Sequence, residues 1–365
     1  WKAGTDRSTA APGVWSGMPR FAAIGLDHRH IYHLIGELLA AGAQCAGYWT
    51  GTSDPKVLEG VRERFPTLRA VDDRDALLDD PSVDLIVSAA IPAQRAALAV
   101  QAMRRGKDVL VDKPGVTSFE QLAQVQAAVA ETGRIFSICF SERHIVPAVE
   151  VARRLVAEGA IGEVVQTLGL GPHRLNRALR PGWFFDRTQF GGILVDIASH
   201  QIDQFLVFTG AQDAQVVHAA AGHHGTQTDP DFQDFGEIVL CSRPGQPGQS
   251  GQSGQRRGYV RVDWFTPDGL PTWGDGRLFI LGTTGSIEIR KYLDIEGRPG
   301  TNHLFLADAR GTRHIDCSAE PLTFFRAFLH DVRERTQTAM TQAHVFTVCR
   351  LALEADAWAT SGGRA

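Results

Sequence analysis

From residue 20 onward, apolar and polar positions follow two rhythms in turn. FAAIGL (21–26) is an unbroken apolar run, and HIYHLIGELLAA (30–41) places its apolar residues at helical spacing. AQCAGYW (43–49) is again strand-like, and DPKVLEGVRERF (54–65) is a helix opened by an Asp-Pro start signal. DLIVSAAI (84–91) is continuously apolar, as a parallel strand covered on both faces should be. RAALAVQAMRRG (95–106) ends in Arg104, Arg105 and Gly106, cations and a glycine suited to a helix carboxyl end. KDVLVDKPG (107–115), FEQLAQVQAAVAETG (119–133) and RIFSICF (134–140) continue strand, helix, strand. Strands separated by single helices predict an α/β unit of the Rossmann type, a doubly wound parallel sheet, over residues 18–143.

The rhythm then changes. After one helix, VPAVEVARRLVAEG (146–159), and the strand EVVQTLGLG (163–171), most segments read as strands without helices between them: AQVVHAAAG (214–222), FGEIVLCS (235–242), GYVRVDWFT (258–266) and RLFILGTTGSIEIR (277–290). Helices return in LTFFRAFLHDVRER (322–335) and AHVFTVCRLALEADAWA (343–359). Residues 144–365 are therefore expected to form an α+β domain with a mainly antiparallel sheet, for substrate binding and oligomerisation. PGQPGQSGQSGQRRG (244–258) buries too little apolar surface to offset its ordering entropy and is expected to be a flexible insertion. Residues 1–17 show no periodicity and are read as a leader, either an expression remnant or a disordered extension.

Composition narrows the function classes. A chain of 365 residues with a formal net charge of −4 lacks the basic excess that nucleic acid or an acidic membrane surface favours. No apolar run approaches the roughly 18 residues of a membrane helix. The five cysteines are scattered, odd in number and free of any CxxC, which points to a reduced, cytoplasmic protein without structural zinc.

Three segments carry the candidate chemistry: the turn GLDHRH (25–30), VDKPG (111–115) at a strand end, and GGILVDIASHQIDQF (191–205). In the last, Asp196, His200 and Asp203 are spaced by four and three and share one face of a predicted, otherwise apolar helix. Buried carboxylates and an imidazole need partners. His200 suits a general base near neutral pH, Lys113 a donor to a developing alkoxide, and Asp196 a holder of substrate hydroxyls or of the imidazole. Asp203 is expected to pair structurally. The alternative is a hydrogen-bonded cluster that only bridges the two halves.

Asp112-Lys113-Pro114 and the pattern Gly191-Gly192, Asp196, His200, Asp203 together resemble the glucose–fructose oxidoreductase and inositol dehydrogenase (Gfo/Idh/MocA) family, from about residue 20 to the last helix. The family carries glutamate where this chain has Asp112. The resemblance implies an NAD(P)-dependent dehydrogenase or reductase acting on a secondary alcohol of a sugar, polyol or sugar derivative, with Lys113, Asp196 and His200 as its catalytic set. It also implies a homodimer or homotetramer formed through the second sheet. An NAD-retaining glycosidase or lyase using transient oxidation, or a non-catalytic nucleotide-binding sensor, shares the same signature.

The turn departs from the usual glycine-rich loop. Gly25 keeps the tight turn, whereas Asp27 and His30 replace glycines that permit close approach to a diphosphate. Asp27 facing phosphate at about 5 Å would cost about 3 kcal/mol at an effective dielectric of 20. Two features offset this: Asp27 is expected to cap the following helix, and His28, Arg29 and His30 offer donors at that helix end. A metal set of His28, His30 and His33 lacks a fourth ligand in the sequence, so no metal is expected. The cofactor wall is read as Gly25, Leu26, Asp27, His28, Arg29, His30, Thr50, Ser53, Ala90, Ile91, Pro92 and Lys113. With no acidic residue closing the second strand, NADP is favoured over NAD. The substrate wall is read as Arg174, Asn176, Trp183 and Asp186 with Asp196 and His200, planar donors and an aromatic face that suit a carbohydrate-like molecule.

Overall fold

The computed structural model describes residues 17–52, 54–225, 229, 231–243 and 254–362. Its first sheet has six strands, all parallel: β1 (Arg20–Leu26), β2 (Gln44–Trp49), β3 (Ala70–Val71), β4 (Leu85–Ala89), β5 (Asp108–Asp112) and β6 (Phe136–Cys139), in the order 3-2-1-4-5-6. The connecting helices are α1 (Ile31–Ala40), α2 (Pro55–Arg64), α3 (Arg74–Leu78), α4 (Pro92–Arg104) and α5 (Phe119–Thr132). Helical crossovers on both faces leave β4 and β5 without an exposed residue, which is why their sequences do not alternate. The strand order reverses between β1 and β4, and a crevice opens there at the carboxyl ends.

The chain leaves this sheet through α6 (Ser141–His144) and α7 (Pro147–Ala157). The second sheet has eight strands: β7 (Val164–Pro172), β8 (Ala214–Gly222), β9 (Phe235–Ser242), β10 (Arg257–Asp263), β11 (Arg277–Gly282), β12 (Ser286–Arg290), β13 (His303–Asp308) and β14 (Gly311–Asp316). Their order is 14-13-12-11-7-10-9-8, antiparallel throughout except for the parallel pair of β7 and β10. Between β7 and β8 lie α8 (Arg187–Phe190), α9 (Ile193–Asp196) and α10 (Ala198–Thr209); α11 (Phe324–Glu334) and α12 (Gln342–Thr360) follow the sheet. Gly169 and Gly258 let α10 lie flat on β7 and β10, since a β-carbon there would stand within 2.6 Å of Gln201 or Phe205.

Three features differ from the sequence reading. RLFILGTTGSIEIR is a hairpin, not one strand, because Thr283–Gly285 form its turn. β13 and β14 were not foreseen; β14 alternates exposed and half-buried residues and carries no apolar run. The helix predicted across 193–205 breaks at Ile197, so Asp196 ends α9 while His200 and Asp203 belong to α10. The expected leader falls outside the described residues up to position 16, as does the expected flexible insertion from 244 to 253.

Candidate active site

A cavity of about 520 Å³ opens where the carboxyl end of the first sheet meets the second, and Lys113, Asp196, His200, His173, Glu142 and Tyr292 line it. Lys113 follows the last residue of β5, and its Nζ donates to Asp196 Oδ1 at 2.8 Å. Both side chains are nearly buried. The break at Ile197 aims Asp196 at Lys113 while α10 carries His200 into the same cavity. His200 is 1 % exposed and its Nδ1 has no hydrogen-bond partner. Burial, and then the Lys113 charge, push its pKa well below the ordinary 6.5, so the imidazole is neutral at neutral pH. His173 is held down by the same two causes, and its Nδ1 donates to the Gly171 carbonyl at 2.9 Å.

Opposite this polar floor stand aromatic faces. His173 packs against Trp264 and Trp273, with ring centres 5.1 and 4.5 Å away, and Trp273 against Tyr292 at 4.5 Å. Asp203 takes no part in the cavity. Burial would raise its carboxyl, but Arg143, paired with it through two hydrogen bonds of 2.6 and 2.7 Å, and His344 hold it well below the usual range.

The turn after β1 forms the other end of the cavity. Gly25 adopts a φ of +77°, and a β-carbon there would lie 2.5 Å from Ala90 Cβ, so only glycine fits. Leu26 is fully buried. Asp27 does not cap α1, contrary to expectation: the Thr52 hydroxyl donates to its Oδ1 at 2.9 Å. His30 occupies the cap position without a side-chain cap bond. The first turn of α1 thus stays open beside Arg29, with the Asp27 carboxylate already engaged. This arrangement fits the diphosphate of a dinucleotide.

Asp112 gathers the turn. His30 Nδ1 lies 2.9 Å from Oδ1, and His28 Nδ1 and Arg95 Nη2 each lie 3.3 Å from Oδ2. Burial would raise the Asp112 carboxyl, but His30 and Arg95 hold it well below the carboxylate range; being ionised, it makes His30 Nδ1 the donor. Arg95 also donates to the Ala90, Asp112 and Pro114 carbonyls, stapling the end of β4 to that of β5. Burial and His30 push His28 down to about 3. The donor atoms of His28, His30 and Asp112 lie within 4.8 Å of one another, a set with a carboxylate in place of the His33 considered from sequence. Arg95 and His30 already occupy that carboxylate.

The remaining expected residues divide. Pro92 lines the cavity at the start of α4, beside buried Ala90 and Ile91. Thr50 donates to Asp72 Oδ1 at 2.7 Å, just past the end of β3, and lines neither the cavity nor its mouth among the described residues. Ser53 lies outside the described residues. Arg174, Asn176 and Trp183 line the cavity, Arg174 held by the Pro267 and Leu270 carbonyls. Asp186 does not: its carboxylate caps α8, accepting from Thr188 and Gln189, and so it is removed from the substrate wall. Sequence reasoning missed Glu142, buried against Lys291 at 2.5 Å, and Trp264, Trp273 and Tyr292, which only the second sheet brings to the cavity. Glu142-Arg143, a charged pair between the apolar stretches 135–140 and 145–149, was a signal in the sequence for the first of these.

The sequence profile described as "Oxidoreductase family, NAD-binding Rossmann fold" matches residues 50–140, and that of the GFO/IDH/MocA C-terminal domain matches residues 149–288. The turn from Gly25 to His30 lies outside both matches. A solved structure from Erwinia carotovora atroseptica SCRI1043, whose oxidoreductase assignment is itself provisional, is 44% identical with a TM-score of 0.86, covering 93% of this chain and 98% of that one. The uncharacterized oxidoreductase YdgJ of Escherichia coli (strain K12) is 30% identical over 174 residues, 47% of this chain and 49% of its own length; the chain spans about half of that relative. The scyllo-inositol 2-dehydrogenase (NAD(+)) of Bacillus subtilis (strain 168) is 25% identical over 300 residues, 80% of this chain and 78% of its own. With both profiles in chain order and a solved relative alike over nearly its whole length, this chain belongs to the GFO/IDH/MocA family of oxidoreductases.

Proposed function

We propose that the protein is an NAD(P)-dependent dehydrogenase or reductase acting on a secondary alcohol of a sugar, polyol or sugar derivative. The observation that carries this reading is the convergence of Lys113, Asp196 and His200 on one aromatic-walled cavity at the crevice of a dinucleotide-type sheet. A bound nicotinamide would take up or deliver the hydride. Lys113, an ammonium 5 % exposed, donates to the substrate oxygen and stabilises charge as it develops there. His200, neutral at neutral pH, takes the hydroxyl proton in the oxidative direction and returns it in reduction. Asp196 fixes the Lys113 Nζ and turns its other oxygen to substrate hydroxyls. Trp264 and Trp273 offer apolar faces to the carbon–hydrogen side of a sugar ring. The relative named for scyllo-inositol acts on a compound of this class.

The domain boundary belongs to the same reading. Residues 18–143 carry the cofactor and 144–365 the substrate and the subunit contact. The outer face of the second sheet, with Leu168, Phe279, Leu281 and Phe305 among polar neighbours, would pair with a second copy in a homodimer or homotetramer. The five free cysteines agree with a reducing compartment, the cytoplasm. Among the described residues no helix is long and apolar enough to cross a membrane. The test is to follow reduced cofactor at 340 nm with NAD and NADP across a panel of sugars and polyols. Turnover on at least one alcohol is expected; silence throughout, with no cofactor binding by calorimetry, overturns the reading.

A further inference from the structure

The active cavity carries more cations than its carboxylates pair with. A smaller pocket of about 120 Å³ lies between the turn after β1 and the segment 176–181, and Arg29, His28, Asn176 and Arg180 line both it and the larger cavity. Every carboxylate lining the two spaces is already engaged. Asp112 holds Arg95 and His30, Asp196 holds Lys113, and Glu142 holds Lys291; Asp27 accepts from Thr52, and Asp54 caps α2 through the Lys56 amide. Of the cations, Arg95 and Lys113 are thereby paired, and Arg174 is tied to two carbonyls and lies near Asp268. Arg29 and Arg180 remain, with no carboxylate within ion-pair distance among the described residues.

Arg180 is built into place rather than solvated. Its guanidinium stands over the Phe184 and Trp264 rings, 4.5 and 5.0 Å from their centres. Nε donates to the Leu175 carbonyl at 2.9 Å and Nη2 to that of Arg174 at 3.3 Å. Burial, eased by Asp196 and aggravated by Arg29, pushes it down to about 10, so it stays protonated at neutral pH. Two guanidiniums therefore line a shared space, one of them half-buried, and among the described residues no carboxylate lies within ion-pair distance of either. An oxyanion placed between them relieves the desolvation of Arg180 and the repulsion between the two, and each planar fork can donate two parallel N–H bonds to it.

We propose that Arg180 and Arg29 form a two-guanidinium seat for an oxyanion, one arginine from each half of the chain, at the junction of the two pockets. The shared chemistry is a phosphate or carboxylate oxygen pair, and two ligands could bring it: the diphosphate of the dinucleotide or an acid group on the substrate. The diphosphate is favoured, because Arg29 stands before the uncapped first turn of α1. Arg180 then supplies, from across the cleft, positive charge that the glycine-poor turn needs. Both sources rest on the reading above, the first on its cofactor and the second on its turnover of an alcohol.

The experiment uses the full chain and the variants Arg180→Met and Arg29→Met, which keep most of the apolar stem, with Arg180→Lys keeping the charge without the fork. Calorimetric titrations with ADP-ribose, inorganic pyrophosphate and adenosine are run beside kinetics on glucuronate and galacturonate and on the parent hexoses. For a diphosphate seat, Arg180→Met weakens ADP-ribose and pyrophosphate about tenfold or more, leaves adenosine unchanged and flattens the salt dependence. For a substrate seat, ADP-ribose is untouched, and the uronates lose kcat/KM by a similar factor while the neutral sugars do not. Where Arg180→Met does not fold, Arg180→Lys and Arg29→Met carry the same comparison. Folded variants that change neither affinity nor acid-sugar kinetics by as much as twofold overturn the seat. Arginine-dependent pyrophosphate binding in a protein that turns over no alcohol with either cofactor would keep the seat and reject the dehydrogenase.

Discussion

Lys113 Nζ donates to Asp196 Oδ1 at 2.8 Å, closing a contact between residues 83 positions apart and joining the end of the first sheet's fifth strand to the helix that precedes His200. The pair is nearly buried, and removing either member leaves the other without its charged partner.

Replacing Lys113 with methionine therefore has two separable effects. The turnover number should fall about 10²–10³-fold, the loss seen when one oxyanion donor is removed. Stability should fall by about 3–5 kcal/mol, because Asp196 is left buried and unpaired. The double variant Lys113→Met, Asp196→Asn should recover most of the stability and none of the turnover. Urea unfolding and 340 nm kinetics on both proteins check this; a double variant as unstable as the single one contradicts it.

Acid should weaken the fold from near pH 6.5 downward. His200, His173 and His144 are held well below 6.5 by burial, and His28 at about 3 by burial and His30. The unfolded chain protonates these imidazoles near 6.5 and the folded chain does not, so between 6.5 and the folded values the unfolded state binds more protons. Stability is then lost as pH falls, by up to about 1.4 kcal/mol per pH unit for each imidazole. His144 stacks on Phe324 with ring centres 3.5 Å apart, and neither of its nitrogens has a partner. His144→Phe should flatten the decline between pH 7.5 and 5.0 in urea midpoints; an unchanged slope would count against a buried neutral His144. The acid limb of kcat/KM should likewise lie below 6.5.

Arg143, Asp203 and His344 tie α6, α10 and α12 together in a buried cluster away from the cavity. Arg143→Met should cost about 3–5 kcal/mol, since Asp203 is fully buried, and His344→Ala about 1–3 kcal/mol. Chemical denaturation measures both, and KM for cofactor should remain within about threefold at temperatures where the variants are folded.

Gly25→Ala should harm both folding and cofactor affinity. The φ of +77° is disfavoured for alanine by about 1–3 kcal/mol, and its β-carbon would press on Ala90. Lower thermal stability together with at least tenfold weaker binding of ADP-ribose is expected; an alanine variant binding as tightly as the parent would show that the turn tolerates the shift.

The alternation of strands and helices was legible because each element of the first sheet carries its own period, from the apolar runs of β4 and β5 to the helical spacing of α1. β14 was not, because its strand character comes from pairing with β13 rather than from its residues. The polar triad Asp196, His200, Asp203 was legible as a group needing partners, but its division was not. Spacings of four and three predict one shared face, and the break at Ile197 sends Asp196 to Lys113 and leaves Asp203 to Arg143. Asp186 looked like a substrate ligand from its neighbours and is a helix cap, a local role that competes for any aspartate two residues before an amide.

What the sequence determined by itself was local and periodic: which segments are strands or helices, that the first sheet is parallel, that Gly25 must turn, and which residue types were available for proton and hydride chemistry. Only the tertiary structure decided which charges meet. Whether Asp27 faces a ligand or Thr52, whether Asp112 is free or holds Arg95, and whether Arg180 has a counter-ion all depend on side chains far apart in the chain. Electrostatic and hydrogen-bond partners are chosen by distance in space, and no spacing along the chain encodes that distance.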